Sequence, residues 1–317
     1  MTSTPKYMYA ATQGASGKLY MSSDSGSTWS EVTAVGTADW HQVRCDYRGK
    51  NVLLIARNEN FWYSNDYGAN WTEVSTSRDW RGCSVSKWGE HMLIGSNDGN
   101  QPYYSNNAGA DWESYTSTDS SVAGVSIGGR GKYQLIAPYQ DELKRSEDGG
   151  LTWADEGSSR NYRGASISED GERMLAIVDS SNAYYSVDGG TNWTDASGTS
   201  VTWANVCDVA PTGNVMVIAQ DGKMMISTAS TPSFTVSSDI DCQDLFCGWT
   251  GTYIIRAVGS SGTGYLGISS DSGSSWTNIT AAGSKDWGTA CMAREEESSP
   301  SHDGKLDGLA AYWSCDD

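Results

Sequence analysis

No apolar run in this chain approaches the roughly 18 residues that a membrane-spanning helix requires, and helical periodicity is nowhere sustained. Basic residues are scarce. The 21 Lys and Arg stand against 39 Asp and Glu, a formal charge of −18, which repels phosphate backbones and leaves no basic stripe for counterion release. Neither nucleic acid nor membrane insertion is expected. The three histidines, His41, His91 and His302, lack ligand spacing, so no metal and no cofactor are expected. Seven cysteines are spread over 317 residues without metal-ligand spacing, the opposite of a small disulfide scaffold. Cys45, Cys83, Cys207, Cys247 and Cys291 fall on expected inner strands, where small, moderately apolar side chains suit packing. Residues 1–12 lack the basic start and apolar stretch of a secretory signal, which leads us to expect a cytoplasmic or virion-associated protein.

Against only 3 Phe stand 14 Trp, 17 Tyr and 36 Gly, and their placement is periodic. The pattern Ser-x-Asp-x-Gly-x-x-Trp occurs at 22–29, 64–71, 105–112, 146–153, 186–193 and 269–276, with a worn copy at 227–234. The closing aromatics at 29, 71, 112, 153, 193, 234 and 276 lie 40 to 42 residues apart. Between them the chain alternates like strands, as in Asn51–Ala56 followed by Asn60–Ser64. About four short strands per period of this length are the signature of propeller blades. The expectation is an all-β, seven-bladed β-propeller of four-stranded blades over residues 1–293, with 294–317 as a tail that the repeat does not place.

The repeated segment has a mechanical reading. The carboxylate accepts backbone hydrogen bonds, the glycine adopts a conformation that a Cβ would oppose, and the aromatic packs back on its own blade. Asp24, Asp66, Asn107, Asp148, Asp188 and Asp271 occupy the carboxylate position. Asn107, and Ala229 with Thr231 and Phe234 in the worn copy, are departures that should loosen their hairpins. These residues resemble the Asp-box, or BNR, repeats of sialidases, sortilin-type receptors, xyloglucanases and photosystem assembly factors, over residues 6–293. Residues 6–12 align with second strands, so the first blade lacks an innermost strand. Residues 286–293 align with first strands, and pairing the two would close the ring without an open edge.

The resemblance implies that ligands sit on the face opposite the repeated turns, where the chain enters each first strand. Those entries include Asp39-Trp40-His41-Gln42, Asp79-Trp80-Arg81-Gly82, Asn161-Tyr162-Arg163-Gly164, Thr202-Trp203-Ala204-Asn205 and Asp286-Trp287-Gly288-Thr289. Two readings of the aromatics stand open. They are wedges between blades, or they are stacking platforms for sugar rings, with His41, Asp79, Arg81, Arg163 and Asp286 supplying hydrogen bonds. The expected function is a non-enzymatic, lectin-like or receptor-binding module with a glycan or protein ligand, several weak sites adding avidity. A protein-binding scaffold is the alternative, with Arg78, Arg81, Arg160 and Arg163 meeting an acidic partner segment. Glycoside hydrolysis, sialidase chemistry included, ranks last. The resemblance would demand three converging arginines, and no arginine precedes Arg44, although Arg81, Arg163 and Arg256 form an imaginable triad.

Overall fold

The alternating apolar runs fold as strands whose side chains on both faces are covered by neighbouring strands, as in Met92–Ser96 and Met174–Val178, which are buried throughout. The computed structural model describes residues 4–115, 121–199, 204–220, 222–238, 242–259 and 263–294. Among them are strands and three single-turn 3-10 helices, with no α-helix. The architecture is an all-β propeller of five hydrogen-bonded sheets, three with four strands and two with six. The expected seven separate four-stranded blades are therefore not what the backbone forms.

Continuous strands are the reason. Val52–Ser64 is one strand of 13 residues and Thr72–Val85 one of 14. The segment Arg57-Asn58-Glu59-Asn60 stays paired with its neighbour through Arg57↔Asp79 and Glu59↔Arg78, with register shifts absorbing the bend. Tyr133–Ser146 and Ala154–Ile167 repeat the arrangement through Tyr139↔Asn161 and Asp141↔Arg160. Two sequence repeats are thereby fused in each six-stranded sheet. Breaks occur where the chain carries Asp98-Gly99-Asn100-Gln101-Pro102, since proline cannot donate to a ladder and glycine weakens one.

The chain ends of the described ring meet in one sheet. Met8–Thr12 lies between Leu19–Ser22 and Trp287–Met292, with Met8↔Met292, Tyr9↔Cys291 and Ala10↔Ala290 in antiparallel register. Residues 286–293 thus supply the strand missing from the first repeat.

Seven inner strand segments, carried by the five sheets, surround the axis, and each presents a backbone edge to the next. A belt of side chains satisfies those edges. Thr289 Oγ1 accepts from Val43 N at 3.0 Å, Gln42 Oε1 from Cys83 N at 2.6 Å and Ser84 Oγ from Ile127 N at 3.0 Å. The belt continues with Ser126 Oγ accepting from Ile167 N at 3.1 Å and Ser166 Oγ from Val209 N at 3.0 Å. It closes with Asp208 Oδ2 accepting from Cys247 N at 2.8 Å and Asp244 Oδ2 from Ala290 N at 3.2 Å. Inner-strand Ser, Thr, Gln and Asp are therefore structural acceptors, since a buried unpaired N–H would cost about 1–3 kcal/mol. Close approach adds a steric demand: a Cβ on Gly124 would lie 2.6 Å from Gly164 Cα.

The repeated turns close the outer hairpins. In the fourth copy Ser146 Oγ donates to Asp148 Oδ1 at 2.8 Å and accepts from Gly150 N at 2.8 Å. Asp148 Oδ1 also accepts from Thr152 N at 2.9 Å, and Trp153 Nε1 donates to Gly150 O at 3.1 Å. Gly150 sits at φ +89°, and a Cβ there would meet the Tyr115 ring at 2.3 Å. Asn107 makes the equivalent bonds, accepting from Ser105 Oγ at 3.0 Å and Asp111 N at 2.9 Å, so that hairpin retains the pattern. The worn copy keeps only a Ser233 N to Ser227 Oγ bond of this kind among those observed.

These hydrogen bonds hold the Asp148 carboxyl down at about 2, led by the Thr152 hydroxyl, and lower Asp24, Asp188 and Asp271 in the same direction. A carboxyl with a depressed folded pKa stabilises the native state above its unfolded value near 4 and loses that contribution as pH falls through the folded one. The melting temperature should fall between about pH 4 and pH 2. Asp148→Asn, which reproduces the amide that Asn107 already places in the third copy, should flatten that fall in thermal melts taken across the range; an unchanged slope would remove the turns as its cause.

Candidate functional site

The repeated turns and the turns between first and second strands share one face, joined by bonds such as Gly149 N to Lys132 O at 2.9 Å and Tyr67 N to Lys50 O at 3.0 Å. The opposite end of the ring is the rim face. A cavity of about 420 Å³ runs along the axis between the two.

Four rim-side entries to inner strands share a bulge at the same place. The register shifts between Trp40 and Gln42, Trp80 and Gly82, Val122 and Gly124, and Tyr162 and Gly164. The extra residue has no pairing partner and is re-aimed, so His41, Arg81, Ala123 and Arg163 line the cavity. The aromatic just before the bulge remains in register and turns into the sheet. One local distortion thus separates the expected site residues into two groups.

The aromatic group is inaccessible. Trp80 is 0 % exposed, its Nε1 donates to Glu59 O at 3.1 Å and Thr76 O at 3.2 Å, and its ring meets Phe61 edge-on at 5.3 Å. Trp40 donates to Gly17 O at 3.0 Å and packs on Trp62; Trp287 donates to Gly283 O at 3.3 Å beside Tyr20. Tyr162 donates its hydroxyl to Ser158 O at 2.8 Å and is 2 % exposed. These four are wedges with no ring face open to a sugar, and Trp203 lies outside the described residues.

The polar group frames the mouth. Arg81 Nη2 pairs with Asp79 Oδ2 at 2.8 Å, and Asn97 Nδ2 donates to the same oxygen at 3.1 Å. Arg163 Nη2 pairs with Asp179 Oδ2 at 2.8 Å, and Arg57 reaches Asp39 at 4.0 Å. Asp286 does not line the cavity and accepts at 2.7 Å from Nε2 of Gln13, which does. Burial, then the charges of Arg57, Arg81 and Arg44, hold the His41 pKa at about 3. His41 is accordingly neutral at physiological pH, with one ring nitrogen engaged by the Arg81 backbone and the other an acceptor.

The paired arginines expected to serve a scaffold are split by the same geometry. Arg78 lies 4.6 Å over the Tyr103 ring and donates to Gln101 O at 3.2 Å, while Arg160 lies 4.1 Å over Tyr184. Only Arg81 and Arg163 reach the cavity. Arg256 is 2 % exposed and sits 4.1 Å over Trp276, outside the cavity lining, so it does not converge with them. Among the described residues six cysteines are buried free thiols, and burial pushes Cys83 up to about 12, a state without nucleophilic thiolate. No group of three His, Cys, Asp or Glu placed to hold a metal occurs among the described residues.

Residues on the motif face were not anticipated. Tyr47, Lys87, Glu169, Trp249 and Arg294 line the cavity at that end. The available signal was the turn sequences Tyr47-Arg48-Gly49, Lys87-Trp88-Gly89 and Trp249-Thr250-Gly251, in which glycine alone meets the needs of the turn and the large cationic and aromatic neighbours do not.

Residues 17–132 match the family model described as Sortilin, neurotensin receptor 3, which is less than half of the chain. Among curated proteins nothing matches. The fold is similar to that of YCF48 bound to D1 peptide, at TM-score 0.56 and 16 % identity, covering 75 % of this chain and 81 % of that one. YCF48 from Cyanidioschyzon merolae is comparable, at TM-score 0.56 and 12 % identity, with 75 % and 84 % covered. A putative 6-phosphogluconolactonase from Bacteroides uniformis aligns at TM-score 0.64 and 10 % identity over 91 % of this chain and 99 % of that one. These likenesses identify the fold as a β-propeller.

Proposed function

We propose that this propeller is a non-catalytic recognition module that holds a segment of a protein partner at the rim-face mouth of its channel. The observation that carries the reading is the set of Arg–Asp pairs, Arg57 with Asp39, Arg81 with Asp79 and Arg163 with Asp179, around a preformed cavity. Paired in this way, the guanidiniums are oriented before a ligand arrives, which reduces the ordering cost of binding. Extended polypeptide offers the alternating donors and acceptors that such pairs and a neutral His41 can meet. The fold-level likeness to YCF48, whose structure holds a D1 peptide, and the partial sortilin match support a protein ligand by analogy. The repeated turns are read as Asp-box turns with a structural role. A glycan ligand loses the geometric support of Trp40, Trp80, Tyr162 and Trp287 with their burial.

Peptide display tests the reading. Peptides selected on the native chain should drop away from Arg81→Gln/Arg163→Gln, while the variant's stability changes by no more than about 1 kcal/mol, as expected for half-exposed ion pairs. Peptides held equally by both forms, or a glycan-array signal that the variant abolishes in the absence of any selected peptide, would overturn it.

A further inference from the structure

The motif-face end of the channel is chemically unlike the rim. The half-exposed Trp88 ring has Arg48 at 5.0 Å, Lys87 at 5.3 Å and Arg130 at 5.8 Å from its centroid. Lys87 Nζ also lies 3.7 Å over Trp249 and 5.4 Å from Tyr47, whose ring meets both indoles edge-on at 5.6 and 5.4 Å. Arg294 lies 4.4 Å over Phe246 and lines the cavity at the same end. Glu169, which accepts from Arg130 N at 3.1 Å, is the carboxylate that lines this end of the cavity among the described residues. Among the described residues these four cations and one carboxylate meet at an opening on a chain of formal charge −18.

We propose that this mouth is a docking surface for an acidic polypeptide segment, separate from the rim-face site. Stacked guanidiniums keep their in-plane N–H groups available for carboxylates while their faces rest on the indole. The cations are spread across the opening instead of converging on one point, which suits several carboxylates along a chain better than a single small anion. The flanking turns hold the groups still: Tyr47 N donates to Lys87 O at 3.0 Å, and Thr212 N to Trp249 O at 3.2 Å.

Fluorescence anisotropy of labelled decaglutamate at low salt tests the proposal, with decalysine as the charge control. Because Glu295-Glu296-Glu297 directly follows Arg294 in the chain, the titration is run on the native protein and on Glu295→Gln/Glu296→Gln/Glu297→Gln. Binding to either form should weaken by at least about tenfold in Arg48→Glu/Arg130→Glu, two exposed positions, and should decline with added salt. It should survive Arg81→Gln/Arg163→Gln, which separates this surface from the rim. Decaglutamate ignored by both forms, or bound without regard to Arg48 and Arg130, or lost in the rim variant, overturns the proposal.

Discussion

Arg44→Ala is expected to destabilise the protein by about 3–5 kcal/mol, the range for breaking a buried ion pair from one side. Arg44 Nη1 and Nη2 pair with the two oxygens of Asp244 at 2.8 Å each, across 200 residues of sequence, with both side chains at most 10 % exposed. Burial alone would lower the Arg44 pKa, and Asp244 outweighs it so that the pKa is raised. Asp244 also accepts from Thr289 Oγ1 at 2.5 Å and Ala290 N at 3.2 Å. The guanidinium therefore neutralises the one carboxylate that ties two inner strands at the ring closure. Its removal leaves a buried charge that the belt still needs as an acceptor. Asp244→Asn in the Arg44→Ala background should recover part of the loss, since an amide oxygen serves Ala290 N without a charge. Urea denaturation of the four members of this cycle reads the coupling directly. A loss below about 1 kcal/mol for Arg44→Ala would mean that channel water screens Asp244 and that the pair is not structural.

The repeat made the β-propeller class legible because six of the seven copies place Ser, Asp or Asn, Gly and Trp at fixed offsets, and the phase of residues 6–12 and 286–293 located the ring closure. The division into sheets was not legible. Whether Arg57-Asn58-Glu59-Asn60 breaks a ladder depends on whether the opposing Arg78 and Asp79 stay in register, and the polarity of the segment says nothing about pairing. The site was half legible. Entry segments such as Asp39-Trp40-His41-Gln42 did lead to the channel, but a bulge decides which of two adjacent side chains enters it, and no residue in Trp40-His41 or Trp80-Arg81 announces a bulge. The belt was hidden for a further reason: Ser84, Ser126 and Ser166 read as small polar residues on a strand, and only the ring places each beneath the next strand's N–H.

That same bulge makes adjacent residues behave oppositely under substitution. Trp80→Ala should cost about 3–5 kcal/mol, because the indole is fully enclosed among Phe61, Tyr103 and the Arg78 guanidinium and its N–H satisfies two carbonyls. Glu59 and Thr76, which supply those carbonyls, belong to the two long strands that fuse the second and third repeats. The loss should therefore appear as an unfolding transition shifted to lower urea, with any ligand affinity of the surviving native fraction little changed. Arg81→Ala, one residue further, removes a half-exposed ion pair with Asp79 and should move stability by no more than about 1 kcal/mol while weakening binding at the rim. Trp80→Ala that folds with native stability, or that alone abolishes binding, would return the tryptophan to the ligand surface. A wedge and a contact residue at consecutive positions can be told apart only by measuring stability and binding on both variants.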